Sequence, residues 1–330
     1  MKKLTASLMF ILSAFTDPEL TLSQLIWNIG LSLSANHKPK SFRNPVEELR
    51  SYIDLDDIKE NDLIYLHPCK LRNFIENDLS KIFDPILLII NGDDHTFPDF
   101  LNEMTLFEKL ISSPLIRHIF AQNCSISTHP KITQIPIGLD FHMIAYSSFW
   151  GEPKKTVKEQ ESILLSIREN SIKQPKLLKA CADFHFNDSI KNGNSGMEQI
   201  LGETRRSIYN RLKYSKDVYF FLEPQPRHEL WIKKTKFTFS ICPAGNGYDT
   251  YRIWEDLALG IIPIVKSSPL DPLYRQFPIV ILSDWNEINS ENLKKWYLEF
   301  KDAIASESTF QKLQLNYWLE KIEKVKNSSL

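Results

Sequence analysis

The sequence is poor in several features that would narrow its function. It has four cysteines, Cys69, Cys124, Cys181 and Cys242, which stand far apart, and none belongs to a C-x-x-C pair. This spacing excludes a metal knuckle. Because Cys181 and Cys242 lie in apolar runs, we expect buried thiols in a reducing compartment. The sequence also has no internal repeat and no low-complexity tract.

An excess of charge of either sign is also missing. Lys and Arg number 40 against 41 Asp and Glu, which leaves a net charge of −1. Such a balance gives no general electrostatic field for nucleic acid or an acidic membrane, so neither is predicted as a partner. A local basic cluster, Lys233, Lys234 and Lys236, is expected to be a solvated face, or alternatively to border an anion site.

No stretch reaches the length of a membrane-spanning helix. The basic start MKK and the apolar run through Phe15 resemble a secretory signal, but no small-x-small cleavage site follows. The run is also too short to cross a bilayer. The alternative is an ordinary first element that packs its leucine and isoleucine side chains into a core. We predict the latter, with no integral membrane segment and a cytoplasmic location rather than a secretory or lumenal one.

The pattern that is present alternates strands with helices. With 330 residues the chain exceeds the size at which one core usually stops growing, so two domains are expected. The alternation predicts parallel sheets with right-handed crossovers, and hence an α/β fold with two Rossmann-like lobes, 1–165 and 166–330, and C-terminal helices. The charged segment 151–172 is expected to connect them. Strands are predicted at 63–66, 85–90, 116–122, 132–137, 176–184, 218–222, 237–242, 261–265 and 280–283, and helices at 70–82, 98–112, about 196–212 and, as a pair, 290–326.

The most informative segment, Phe237 to Val265, predicts a strand, a loop, a helix and a second strand. The first strand stops at Pro243, and a helix from about residue 249 ends at Gly260 as its cap. A glycine loop beside a helix N-terminus lets a phosphate approach the unpaired amides and the positive end of the helix dipole. Anion binding is therefore predicted. The loop residues that can adopt the required backbone angles are Gly245, Asn246 and Gly247.

Two side chains at the start of that helix suggest a nucleotide. Arg252 and Glu255 are three residues apart and so share one helix face. The guanidinium of Arg252 is suited to a diphosphate, and the carboxylate of Glu255 is suited to the two hydroxyls of a ribose. The alternative is a surface ion pair between Arg252 and either Glu255 or Asp256, worth only about 0.3–0.5 kcal/mol.

Other residues around the loop complete the predicted ligand set. Asp249 begins the helix, and the aromatic ring of Tyr248, like that of Tyr251, is placed to stack on a base or sugar, or else to be partly buried beneath the loop. Arg227 precedes the strand and could reach the departing phosphate. Lys236 is expected at the far end of the strand as a solvated charge.

The order of these residues resembles the donor-binding signature of exostosin-like glycosyltransferases and related inverting or retaining sugar transferases of GT-B architecture. The resemblance rests on the PAGNG loop, Asp249, Arg252, the Trp254-Glu255 pair and the closing IPIV, and it is densest over Lys236 to Trp285. In that family the arginine lies near the diphosphate and the glutamate holds the ribose of a sugar nucleotide. The resemblance implies the same roles here, and two lobes that face a central cleft.

The loops after the first-half strands provide candidates for catalysis, because ligands of open α/β sheets bind beyond the carboxyl ends of the strands. Attack by an acceptor hydroxyl needs a general base, for which the candidates are Asp93, Asp94, His95 and Asp140. A turn-capping role is the alternative for each. The string Gly92-Asp93-Asp94 also admits a metal interpretation. We predict no metal, since the glycine loop and helix already supply a positive field for the leaving diphosphate.

The sequence therefore predicts a glycosyltransferase for hexosyl or pentosyl transfer. Its donor would be a UDP- or GDP-linked sugar, used as a co-substrate with no separate cofactor, and its acceptor a hydroxyl of a glycan, lipid or protein. Two alternatives stay open. One is a nucleotide-sugar epimerase or hydrolase on the same architecture, and the other is an inactive protein that binds a nucleotide sugar or a partner.

Overall fold

The computed structural model describes residues 20, 23–42, 49–185 and 202–328. Over these residues the chain divides into two compact units. The first comprises the described residues up to His142 together with those from Gln314 onward, and the second runs from Met143 to Leu313. The apolar N-terminal run and the first part of the helix expected at 196–212 lie outside the described residues.

The first unit contains a parallel sheet of four strands in the spatial order β1-β2-β3-β4, which is also their order along the chain. Nearly every residue of these strands is buried, which explains why their sequences are continuous apolar runs rather than alternating ones. The strands are β1 (Leu63–Leu66), β2 (Ile86–Ile90), β3 (Ile116–Ala121) and β4 (Ile132–Gln134), and the helices are α1 (Pro68–Asn73), α2 (Met104–Ser112) and α3 (His142–Tyr146), the last at the unit boundary.

The second unit contains a parallel sheet of five strands in the order β6-β5-β7-β8-β9. Its strands are β5 (Leu177–Ala182), β6 (Val218–Phe220), β7 (Phe237–Ile241), β8 (Ile262–Lys266) and β9 (Val280–Leu282). Its helices are α4 (Val157–Ser171), α5 (Arg205–Leu212), α6 (Arg227–Lys234), α7 (Tyr251–Ala258), α8 (Asp271–Tyr274), α9 (Ser290–Ala305) and α10 (Glu307–Lys312).

The two sheets differ in one respect that positions a site. In the second sheet the chain moves from β5 to β6 on one side and then returns to place β7 on the other side of β5. Such a reversal opens a crevice at the carboxyl ends of the two central strands, where α/β proteins bind their ligands. Among the described strands of the first sheet there is no such reversal.

The predicted α/β fold is confirmed, but the units do not divide where the sequence suggested. Helix α4, expected to connect the lobes, belongs to the second unit, where Arg168 Nη1 donates to the carbonyl of Ala258 at 2.9 Å. The boundary therefore falls after His142 rather than at residue 165. The last helix, α11 (Leu315–Asn327), belongs to the first unit, and the Leu315 amide donates to the Gln24 carbonyl at 2.7 Å.

Two helix predictions also change. The helix expected over 98–112 is interrupted at Asn102, which has a left-handed φ of 53°, and a regular helix begins only at Met104. The pair expected over 290–326 is three helices, because Ser306 ends α9 and its hydroxyl caps α10 by accepting from the Thr309 amide at 3.2 Å. No helix in the described ranges combines the length and apolar character needed to cross a membrane.

Candidate functional site

The glycine loop leaves β7 at the point where the strand order of the second sheet reverses. The Gly245 amide donates to the Gly247 carbonyl at 2.9 Å, so the loop closes tightly on itself. Asn246 at its tip is exposed. Helix α7 follows with Thr250 at the N-cap position, and the Thr250 side chain makes no capping hydrogen bond. The positive end of α7 is thus presented beside the loop without the side-chain acceptor that usually covers it.

Arg252 is held by an acid that the sequence analysis did not include. Its Nε donates to Asp183 Oδ1 at 2.6 Å, and Asp183 directly follows β5, the strand next to β7. The alternative from the sequence, a surface ion pair of Arg252 with Glu255 or Asp256, is not formed. Its two terminal nitrogens donate to no residue in the described part of the chain, and 15% of its side chain is exposed. These nitrogens are therefore available to an anion.

Behind Arg252 lies a buried ion-pair network. Lys234 Nζ lies 3.2 Å from Asp183 Oδ2 and 2.7 Å from Asp256 Oδ1, and its side chain is only 1% exposed. Burial alone would raise the pKa of Asp183, but Arg252 and Lys234 outweigh it and hold that pKa below its usual range. Burial raises the pKa of Asp256, and Asp183 adds to the rise in spite of Lys234. The expectation that the lysine cluster forms a solvated face is wrong for Lys234.

Glu255 forms its ion pair with helix α6 rather than with its own helix. Its Oε1 accepts from Arg227 Nη2, and its Oε2 accepts from Trp231 Nε1 at 3.1 Å. The Arg227 guanidinium in turn lies 4.6 Å from the ring centroid of Trp231 and 5.0 Å from that of Trp150. With its side chain only 6% exposed, Arg227 fixes the direction of Glu255 instead of facing the loop. Each Glu255 oxygen keeps a second lone pair for a ligand hydroxyl.

Two other residues of the predicted ligand set stabilise the loop from inside. Asp249 is 2% exposed, and its carboxylate accepts from Trp254 Nε1 at 2.9 and 3.0 Å and from the Tyr274 hydroxyl at 3.2 Å. Tyr248 is 8% exposed, which agrees with the alternative of burial beneath the loop. Asp249 and Tyr248 are therefore buried residues that support the loop.

Arg205 is a further residue of the site that the sequence analysis missed. Its Nε donates to the Ala244 carbonyl at 3.0 Å, so the guanidinium lies across the glycine loop. A Cβ at Gly245 would lie 3.0 Å from Arg205 Nη2, so the guanidinium packs closely against the loop backbone. The rule that ligand residues follow strand ends would have found Asp183. Nothing in the local spacing points to Arg205, which comes from helix α5.

In the first unit, two of the predicted catalytic residues form one pair. His95 Nδ1 lies 2.6 Å from Asp93 Oδ1, with side-chain exposures of 54% and 25%. The carboxylate orients the ring, so the imidazole is the group that faces solvent. Asp94 lies beside this pair, and its backbone carbonyl accepts from Asn123 Nδ2 at 3.4 Å.

The fourth predicted catalytic residue belongs to a second pair. Asp140 Oδ1 lies 2.7 Å from His142 Nδ1, and the side chain of Asp140 is 2% exposed against 24% for His142. The amide of Asn28 also contacts that ring nitrogen. Asp140 is too deeply buried to meet a substrate, so the partly exposed imidazole of His142 is the group that can act as a base. In the described part of the chain, no group of three or more His, Cys, Asp or Glu side chains is arranged to hold a metal ion.

Comparison with known proteins shows distant similarity in structure only. No protein-family model and no curated protein matches the chain. The crystal structure of TarM aligns with 82% of this chain at a TM-score of 0.40 and 9% identity, and this chain covers 56% of TarM. The catalytic domain of starch synthase IV from Arabidopsis thaliana, bound to ADP and acarbose, aligns with 83% of this chain at a TM-score of 0.36 and 10% identity, with 75% of that domain covered. At this level of similarity, neither structure identifies the substrate of this chain.

Proposed function

We propose that this chain is a GT-B-type glycosyltransferase that moves a sugar from a UDP- or GDP-linked donor to a hydroxyl of a glycan, lipid or protein. The observation that carries the proposal is the glycine loop at the strand-order reversal of the second sheet, beside which lie the guanidinium groups of Arg205 and Arg252. Two planar cations beside a helix N-terminus suit the two phosphates of a nucleotide diphosphate.

In this proposal, the second unit stabilises the leaving group. As the sugar departs, negative charge grows on the diphosphate, and the terminal nitrogens of Arg252 and the guanidinium of Arg205 would donate to it. The positive end of α7 would add to that stabilisation, and no metal would be needed. Glu255, fixed by Arg227 and Trp231, would accept the ribose hydroxyls.

The acceptor hydroxyl must lose a proton, and we assign that step to the first unit. The candidates are the imidazoles of His95 and His142, each oriented by a carboxylate on Nδ1, so that Nε2 is the basic atom. This arrangement gives Asp93 and Asp140 positioning roles instead of the direct roles expected from the sequence. Asp94, next to Asp93 in the sequence, stays a further candidate for the base.

The proposal is tested by nucleotide binding to the Arg205→Ala variant. We expect UDP or GDP to raise the melting temperature of the wild type, and the substitution to weaken nucleotide affinity about tenfold, or about 1.4 kcal/mol. Arg205 is partly exposed, so the fold should survive. Arg275→Ala is the matched control, because Arg275 is 70% exposed and its ion-pair partner Asp271, at 3.6 Å, belongs to the same helix turn.

Donor turnover separates the alternatives. Donor consumption that requires an acceptor supports transfer, whereas consumption without one indicates a hydrolase, and conversion of the donor to its epimer indicates an epimerase. Stabilisation without any consumption indicates a binding protein. If no nucleotide binds, or if Arg205→Ala binds as tightly as Arg275→Ala, the proposed site is wrong.

A further inference from the structure

A cysteine and a histidine form a close pair at the carboxyl end of β1, apart from the glycine loop. His67 follows β1, and its Nδ1 lies 3.0 Å from Cys69 Sγ. Cys69 is exposed, whereas the other three cysteines are buried. His67 is 4% exposed and is held on its other side, where Nε2 lies 3.2 Å from the Gly92 carbonyl. The ring is therefore fixed while the sulfur faces solvent.

The hydrogen bonds of His67 define its tautomer. A carbonyl oxygen can only accept, so Nε2 carries the proton that is donated to Gly92. Nδ1 then has a lone pair, which accepts from the Cys69 amide at 3.4 Å and faces the Cys69 thiol. Burial lowers the pKa of His67 in the folded protein, which agrees with a neutral ring. The Cys69 thiol, at the shorter distance of 3.0 Å, can thus donate its proton to the same basic nitrogen.

One group beside His67 would stabilise the charge that a proton transfer creates, against the effect of burial. Asp93 Oδ2 lies 3.8 Å from His67 Nε2 and would face the imidazolium. The Lys70 cation opposes it, as does His95 when its ring is protonated. The hydroxyl of Tyr65 is also close to Gly92, because a Cβ placed on Gly92 would lie 2.7 Å from the Tyr65 hydroxyl oxygen. Tyr65 is 1% exposed.

That hydroxyl is a polar atom with no hydrogen-bond partner in the described part of the chain. The side-chain oxygen of Gln122, which follows β3, is also buried and has no hydrogen-bond partner among the described residues. The amide nitrogen of Gln122 donates to the Asp93 carbonyl at 2.9 Å. An unsatisfied buried hydroxyl costs folding free energy, so the Tyr65 hydroxyl beside the Cys–His pair points to a ligand or reagent at these strand ends.

We propose that Cys69 is a nucleophilic thiol that reacts with small organic disulfides, and that His67 is the base that takes its proton. The proton moves from Sγ to His67 Nδ1, and the thiolate attacks one sulfur of the disulfide. A new S–S bond forms to Cys69 as the original S–S bond breaks. The leaving thiolate takes the proton from the imidazolium, so the product is a mixed disulfide plus one small thiol.

The experiment is competitive labelling of the full-length protein with iodoacetamide at pH 7, followed by peptide mapping. We expect label on Cys69 and none on the buried thiols, for which burial raises the pKa, to about 12 for Cys124. His67→Gln retains a donor for the Gly92 carbonyl but has no basic nitrogen, so labelling of Cys69 should slow at least about tenfold. Asp93→Asn should slow it less, because only the imidazolium charge loses its partner.

Oxidised glutathione tests the disulfide step itself. We expect a mixed disulfide at Cys69 that dithiothreitol removes, and none in Cys69→Ser. The proposal is overturned if Cys69 in the wild type reacts no faster than free glutathione at the same pH, if Asp93→Asn and His67→Gln both leave the rate unchanged, or if no mixed disulfide forms. Because Asp93→Asn changes a partly exposed side chain, it keeps the test decisive even where His67→Gln does not fold.

Discussion

The charged side chains at the strand ends of the two units differ in where their partners come from and in how deeply they are buried. In the first unit, Asp93 pairs with His95, two residues along the chain, and both side chains reach solvent. In the second unit, Asp183 binds Lys234 and Arg252, which lie 51 and 69 residues away, and these groups are buried. Charges taken out of water need partners on every side, and the partners must come from wherever the fold brings them. Exposed charges are solvated by water and need no such partners.

The difference matters for the two kinds of chemistry proposed. A group that exchanges a proton with an incoming hydroxyl must be reached, as His95 and His142 are. A group that binds a phosphate benefits instead from a fixed direction, and the bond from Arg252 Nε to Asp183 fixes the guanidinium while leaving its terminal nitrogens available.

The largest expected effect that tests this comparison is on stability. Lys234→Met removes the cation between Asp183 and Asp256, so the free energy of unfolding should fall by about 3–5 kcal/mol, because two buried acids lose their shared partner. Urea denaturation measures it. Lys236→Met, two residues along and exposed, is the matched control and should change stability by less than about 0.5 kcal/mol. Equal effects of the two substitutions would contradict the buried network.

An intermediate effect is expected from pH. Burial, with His129 and Arg117, lowers the pKa of His118 in β3 from 6.5 to about 4. Between these values the unfolded chain binds a proton that the folded chain does not. The contribution of neutral His118 to the free energy of unfolding is therefore fully present above pH 6.5. About 3 kcal/mol of it is lost as the pH falls through 4.

The stability of the second unit should fall only at lower pH. Burial alone would raise the pKa of Glu152, but hydrogen bonds from His228 and Lys155 outweigh it and lower the pKa from 4.5 to about 2, so its contribution is lost only below pH 4.5. Between pH 7 and pH 5, the protection of backbone amides from hydrogen exchange, relative to the unfolded chain at the same pH, should fall in β3 but not in β7. His118→Gln should remove the difference between pH 7 and pH 5 in β3, and an unchanged difference would rule out His118 as its cause.

The smallest expected effect is at the exposed pair of the first unit. His95→Ala should change the free energy of unfolding by no more than about 0.5 kcal/mol, because the side chain is 54% exposed and its ion pair is screened by water. Thermal and urea denaturation measure this. A loss above about 1 kcal/mol would mean that the first unit depends on its strand-end charges as the second does.

Much of the fold could be predicted from the sequence, since buried parallel strands are continuous apolar runs with an unambiguous signal. The strand–loop–helix–strand segment is an example. Helix α7 begins at Tyr251, one or two residues after the predicted start, and Gly260 follows it with a left-handed φ of 72°, as a cap requires. The helix break at Asn102 was not predictable in this way, because the surrounding residues retain helical periodicity.

The partners of the site residues were the part that the sequence did not reveal. Both Arg252 and Glu255 lie in α7, as the spacing predicted, but each is bound by a residue from another element, Asp183 and Arg227. Those contacts depend on strand order, which no local pattern encodes. The unit boundary was missed for a related reason, because the charged surface of α4 suggests a linker although its other face packs within the second unit.

The position of helix α11 in the sequence determines which of the two units is completed first during synthesis. It belongs to the first unit, while everything between Met143 and Leu313 belongs to the second. As the chain leaves the ribosome, the second unit has all of its residues before the first does. Until then the first unit lacks the closing helix, whose Trp318 and Leu319 are buried in the complete fold. A chain released near residue 313 would thus contain a complete second unit and an incomplete first unit. The incomplete first unit would expose apolar surface to which chaperones bind.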